Sequence, residues 1–339
     1  MENPILVEVL RGSQIESRHR GALAVSDPDG KLVLALGDVE GRVFPRSAVK
    51  GLQAIPLVES GIADRLGLTE AELALACASH SGEPVHVAAA AAMLGKAGRD
   101  SGCLECGSHW PLNEAAAHSL AAGGGTPSAL HNNCSGKHAG FICLSCGLGA
   151  DPKRYVQPDH IVQREVTAAL ESLVGMTLAD DVRAIDGCSI PTYAVPLAAL
   201  AHAFARFATG EGLAPKRAAA ARRLRAAVAA HPHMVAGTGR FDTAVMEVLR
   251  ERAFTKTGAE GVFCAALPQS RLGVAIKCED GAGRAAEAVM AAVLKRFVTL
   301  SGEDEERLAP RLAPRLKNWN GLEVGRVRVT PVLTAPDCR

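Results

Sequence analysis

The sequence predicts an α+β fold, α/β sandwich-like in outline: a mostly antiparallel sheet flanked by helices, with a helical lobe inserted between its strands. Three observations carry that expectation. Residues 5–10, 19–25 and 32–36 are short apolar runs, and Asp27-Pro28-Asp29-Gly30 is a strong turn between the last two. Residues 261–267 and 272–278 flank a short turn and read as a hairpin. From about residue 61 to residue 230 the pattern is alanine- and leucine-rich and helical.

Taken in order, the N-terminal runs form an antiparallel meander whose last strand leads toward Phe44-Pro45-Arg46-Ser47-Ala48-Val49-Lys50. Thr69 is an N-cap, with Glu72 completing a capping box. Residues 84–94, 161–173 and 197–207 are helix candidates, and 216–230 is a basic, alanine-rich helix with a solvated face. Gly123-Gly124-Gly125-Thr126-Pro127 is a loop. Beyond the Gly237–Arg240 turn come a helix near 243–252, the hairpin, a long helix over 285–300 and a late strand over 324–329. This pattern predicts a sheet lobe from residues 1–60 and 236–339, with residues 61–235 forming the helical lobe.

The chain has 339 residues, enough for a sizeable core in one large domain or two lobes. Alanine and leucine dominate the core, because only 4% of residues are aromatic while 48% are apolar. Thirty-seven basic against 36 acidic side chains leave no strong field, which argues against nucleic acid or an anionic membrane as partner. The N-terminus has no basic stretch before its apolar run, and no apolar run reaches the ~18–20 residues that span a bilayer. A soluble, cytoplasmic protein is expected, with its ten cysteines mostly reduced.

Ser47 and Lys50 stand three apart after a proline, which is suited to the first helical turn. Such a lysine can activate a serine, and a helix N-terminus can receive an oxyanion. Ser-x-x-Lys early and Lys256-Thr257-Gly258 late resemble the serine β-lactamases and penicillin-binding proteins, although no middle Ser-x-Asn motif is present. Two further clusters are richer in chemistry. His131-Asn132-Asn133-Cys134-Ser135-Gly136-Lys137-His138-Ala139-Gly140 packs ligand-type residues in a row, and Asp186-Gly187-Cys188 adds a carboxylate and a thiol. The pairs Cys103-x-x-Cys106 and Cys143-x-x-Cys146 are spaced too widely for a zinc ribbon. Cys77, Cys264 and Cys278 lie in core-like runs, and His86, His118 and His202 lie on helical segments as satisfied polar groups.

These motifs, with Cys77-Ala78-Ser79-His80-Ser81-Gly82-Glu83 and Ala236-Gly237-Thr238-Gly239-Arg240-Phe241-Asp242, are together similar to the rhizobial-type (class 3) L-asparaginase family. That family is itself similar in fold to serine β-lactamases and glutaminases. The resemblance implies hydrolysis of L-asparagine to L-aspartate and ammonia. It implies Ser47 as nucleophile with Lys50 as base, and Ser79 with Lys256 as a second serine–lysine pair. It implies a zinc ion held by Cys134, Lys137 and Cys188, with Asp186 and His138 beside it to hold substrate, and a homodimer. Arg46, next to the nucleophile, either serves a substrate carboxylate or faces solvent. The same machinery also suits glutamine, a peptide or a β-lactam, and a zinc- or redox-responsive binding protein without turnover is the alternative from another class.

Overall fold

The computed structural model describes residues 2–334. Its main sheet has eight strands, all paired antiparallel. In chain order the strands of the protein are β1 (Ile5–Arg11), β2 (Gln14–Ser26), β3 (Leu32–Leu36), β4 (Arg42–Val43), β5 (Arg183–Ile185), β6 (Pro191–Tyr193), β7 (Val195–Pro196), β8 (Phe254–Thr257), β9 (Val262–Leu267), β10 (Leu272–Cys278), β11 (Arg315–Lys317) and β12 (Glu323–Val329). The main sheet runs β11-β12-β1-β2-β10-β9-β8, with β3 also on β2. The long β2 carries two neighbours in succession: its first half pairs with β1 and its second half, Gly21 to Ser26, with β10. The predicted α+β class with a mostly antiparallel sheet is therefore what the chain forms.

Two compact units divide the chain: residues 1–48, 194–212 and 252–339, and residues 49–193 and 213–251. The sequence places the division at residues 60 and 235. The difference arises because helix Leu197–Thr209 packs on β10, β2 and β9 and so joins the sheet unit, whereas helices Lys50–Gln53, Ile55–Glu59 and Phe241–Leu249 pack on helix Pro215–Ala230 and join the helical one. Gly273 of β10 permits that packing. A Cβ there would lie 2.1 Å from both the Ala201 carbonyl oxygen and the Ala205 nitrogen. Phe204 and Phe207 of this helix meet Phe254 of β8, the latter ring at 5.2 Å and 71°. Every residue of β9 is buried, which in a strand means that both faces of the sheet are covered here. Helix Gly283–Phe297 supplies further cover over β9 and β10.

The second unit is helical apart from the hairpin β5–β6. Its central element is helix Ser135–Gly147, buried from Ser135 through Ser145 and packed by helices Glu70–Ala76, Pro84–Lys96 and Ile161–Val174. Thr69 caps helix Glu70–Ala76 with the expected Glu72 box. Several local expectations shift. Two strands of the main sheet have no counterpart among the sequence expectations: β8, which holds Lys256, and β11. Among the described residues no helix is long and apolar enough to cross a membrane.

Candidate functional site

In the sheet unit, Pro45-Arg46-Ser47 enters a 3-10 turn spanning Arg46–Val49, and Lys50 opens the short helix Lys50–Gln53. Arg46 has φ of +51°, a left-handed conformation that is uncommon for a residue with a side chain. A plain helix start at Pro45 or Arg46 is thereby replaced by a kinked entry. Lys256 is wholly buried on β8, and its Nζ donates to the Thr257 carbonyl at 2.9 Å. The chain then passes Gly258, where a Cβ would sit 2.8 Å from the Pro45 carbonyl oxygen. The absence of a side chain at Gly258 thus lets the Lys256-Thr257-Gly258 segment run against the turn that carries Ser47.

In the helical unit, Lys50 is wholly buried. Its Nζ lies within hydrogen-bond distance of Ala78 O at 2.7 Å, Ser79 Oγ at 2.8 Å and Cys134 Sγ at 3.0 Å. Ser79 lies on the loop after helix Glu70–Ala76, and that loop is braced along its length. Ser79 N–H donates to Val235 O, Ser81 Oγ to Ala236 O, and Thr238 donates twice to the Glu83 carboxylate. The Gly237–Arg240 turn is thus tied to the loop that carries Ser79. His80 extends the brace: its Nδ1 accepts from Gly82 N–H, so Nε2 donates to Ser135 Oγ at 2.9 Å, and Ser135 Oγ donates to Leu130 O. His80, His86 and His233 stack face to face with centroids 4.9 and 5.2 Å apart, so His86 is a structural core residue and His233 starts a helical turn. Burial, followed by the repulsion of His86 and Lys50, keeps His80 neutral well below its usual pKa.

Cys134, Lys137 and His138 follow from the first turn of helix Ser135–Gly147. Cys134 N–H is held by Asn132 Oδ1, whose amide donates to Cys106 O. Gly136 sits against Leu75, and this close approach brings the helix start beside Ser79's loop. Cys188 lies at the tip of the β5–β6 hairpin, in a turn closed by Ser189 N–H to Asp186 O, with Ser189 at φ of +75°. Lys137 Nζ donates to Cys188 Sγ at 2.9 Å, and Asp186 Oδ2 lies 3.8 Å from the same sulfur.

A hydrogen bond from Cys188, reinforced by Lys50 and Lys137, overcomes burial and holds Cys134 well below the usual thiol range. The same bond and burial push Cys188 far up. Burial alone would lower Lys137, yet the sulfurs of Cys188 and Cys134 raise it above its ordinary value. His138 is wholly buried and kept neutral, by burial first and then by Lys137 and Lys50.

The helical unit therefore brings Lys50, Ser79, Cys134, Lys137, His138, Asp186 and Cys188 into one cluster, while Arg46, Ser47 and Lys256 belong to the sheet unit. Among the described residues no three His, Cys, Asp or Glu side chains group as a metal site. Two sulfurs with an amine beside them do suit a borderline-soft divalent ion in kind, once Cys188 and Lys137 give up their protons. The two C-x-x-C pairs take no part in such a group: Cys106 donates to Ala129 O and Cys143 to Met93 O, and burial pushes each thiol up to about 12. Sequence reasoning missed Tyr155, whose hydroxyl lies 2.6 Å from His138 Nδ1. A lone tyrosine in an unpatterned stretch gives no signal that could have found it.

No curated protein gives a significant sequence match. Fifteen solved chains match in structure. One is a β-lactamase from Mycobacterium bovis, 16% identical, with a TM-score of 0.43 over 82% of this chain and 95% of that one. The family model described as L-asparaginase II matches residues 7–329. Nearly the whole chain is covered, and the protein belongs to the L-asparaginase II family, a family of hydrolases.

Proposed function

We propose that this protein hydrolyses L-asparagine to L-aspartate and ammonia through an acyl-enzyme on serine. The observation that carries the serine–lysine part is the wholly buried Lys50 amine, 2.8 Å from Ser79 Oγ. A lysine amine shielded from bulk water and within hydrogen-bond reach of a serine hydroxyl can, in its neutral form, take a proton from that hydroxyl, which is what a serine nucleophile needs from its base.

Ser47, three residues before Lys50, is assigned the attack on the side-chain amide carbon. Its proton passes to Ser79 Oγ, and the Ser79 proton moves to the Lys50 amine, which is neutral in this step, as the C–O bond forms. The C–N bond then breaks, and the pair returns the proton to the departing nitrogen, which leaves as ammonia. A water molecule attacks the resulting aspartyl ester, gives its proton to the same pair, and Ser47 recovers its own. Lys256 is assigned to the same machinery as the second lysine. Arg46, Lys137, His138 and Asp186 are assigned to binding the amino-acid part of the substrate.

Cys134, Lys137 and Cys188 would hold a zinc ion. When bound, the ion supplies a localised positive charge for orienting the substrate's carboxylate. The attack and both proton transfers are assigned to the serines and lysines.

Ammonia release and acid-quench mass spectrometry test the proposal. The unaltered chain should release ammonia from asparagine faster than from glutamine and should accumulate an aspartyl adduct on the peptide containing Ser47. Ser79→Ala should slow turnover by about 10²–10⁴-fold, the usual weight of a proton-transfer group. Ammonia release by Ser47→Ala within tenfold of the unaltered chain would remove Ser47 from its role.

A further inference from the structure

Tyr155 is one of two tyrosines in the chain and is wholly buried. It is held from several directions. Its N–H donates to Pro152 O at 3.1 Å, and its carbonyl accepts from Gln163 Nε2 at 2.9 Å. The preceding residue, Arg154, has φ of +63° and donates its N–H to the Glu105 carboxylate. The hydroxyl accepts the Glu105 backbone N–H at 2.9 Å and meets His138 Nδ1 at 2.6 Å, with the rings edge-on at 5.4 Å and 75°. Among the described residues, Nε2 of the wholly buried His138 has no hydrogen-bond partner.

Counting donors and acceptors fixes where the protons lie. A doubly protonated ring, enclosed and bonded to no carboxylate, is excluded by the cost of burying its charge. The neutral ring has two arrangements. If Nδ1 carried the hydrogen and donated to the tyrosine oxygen, the tyrosine O–H and a bare Nε2 would both be buried and unpaired. If the tyrosine O–H donates to Nδ1, the ring hydrogen sits on Nε2, and this N–H is the one group left without a partner. The second arrangement leaves fewer buried polar groups unsatisfied.

We propose that Tyr155 is a positioning residue: it fixes His138 in the Nε2–H tautomer, so that a neutral imidazole presents a single donor to an oxygen acceptor. On the reading above, on which this last step rests, the acceptor is a carboxylate oxygen of the amino-acid substrate. The opposite tautomer would present a lone pair, which repels a carboxylate and ligates metal ions. Tyr155 thereby also reserves His138 for the substrate and leaves Cys134, Lys137 and Cys188 as the metal donors.

The test uses the full chain labelled with [15N]histidine. Long-range proton–nitrogen correlation spectra distinguish the tautomers, and loss of a signal set in His138→Gln identifies the residue. His138 should show a protonated Nε2 and an unprotonated Nδ1. Tyr155→Phe should give a mixture of tautomers and weaken L-aspartate binding, measured by calorimetry, about tenfold, with the circular dichroism spectrum retained. A protonated Nδ1 in the unaltered chain overturns the proposal, and so does an unchanged tautomer in Tyr155→Phe. If that variant fails to fold, the spectrum of the unaltered chain alone decides the tautomer. An Nε2–H signature in a chain that binds no aspartate supports the positioning role and overturns the amino-acid reading of the acceptor.

Discussion

Gly136→Ala isolates the packing that holds the helical cluster together. Gly136 is the second residue of helix Ser135–Gly147, and a Cβ there would lie 2.4 Å from Leu75 Cγ and 2.5 Å from Leu75 O. Ordinary contact begins at 3.4 Å, so the two helices must separate by roughly 1 Å, and the obstacle includes a backbone carbonyl that cannot rotate away. Overpacking on this scale costs up to about 3 kcal/mol. Alanine gains about 1 kcal/mol over glycine as a helix former. The clash wins, leaving a net loss of about 2 kcal/mol. With a urea slope of about 3 kcal/mol/M the unfolding midpoint should fall by roughly 0.7 M. Gly140→Ala, one turn further along the same helix, is the control. Its Cβ would meet Ala76 Cβ and Leu57 Cδ2 at 3.4 Å, so the helix gain should survive and stability should hold or rise. Equilibrium urea unfolding followed by far-ultraviolet circular dichroism measures both. A Gly136→Ala midpoint equal to or above that of the unaltered chain would refute the close-packing account of how Cys134 and Lys137 are placed.

Lys50→Met keeps the volume but removes three hydrogen bonds, and ammonia release should fall about 10²–10⁴-fold, read from initial rates. The proposed zinc site predicts about one ion per chain by elemental analysis after dialysis and a small fraction of that in Cys188→Ser, because a hydroxyl would replace one of its two proposed sulfur donors. Asp304 receives two hydrogen bonds from Arg252, at 2.7 and 2.8 Å, and one from Ser301 N–H, and these hold its carboxyl well below the usual range. Because the folded form has the lower pKa, this stabilisation is complete above the unfolded value of ~3.9 and is lost as pH falls from there toward the folded value. Asp304→Asn should cost about 1–2 kcal/mol at neutral pH, and the difference from the unaltered chain should shrink in urea titrations at progressively lower pH.

Much of the fold was legible because its signals are local. The Asp27–Gly30 turn, the Thr69–Glu72 capping box and the β9–β10 hairpin each depend on residues a few positions apart. Lys256 went unread as a strand residue because Phe254–Thr257 is four residues long and draws its order from pairing with β9 and packing against Phe204 and Phe207. The left-handed Arg46 had no signature either, since no glycine or asparagine marks the position. Three segments singled out for their chemistry, 77–83, 131–140 and 186–188, do meet within the helical unit, joined by Lys50 and Lys137.

By itself the sequence determined the antiparallel, mixed α+β architecture and the few segments dense enough in reactive side chains to hold a site. Periodicity, turns and caps are written within one or two turns of chain. Which side chains touch was decided only by the tertiary structure. Lys50 meets Ser79 and Cys134 across 29 and 84 residues, Lys137 meets Cys188 across 51, and Tyr155 reaches His138 across 17. Those partners are chosen by helix packing, such as the close approach that Gly136 allows at Leu75, and by the hydrogen-bond demands of wholly buried groups. Neither requirement exists until the chain has closed around them.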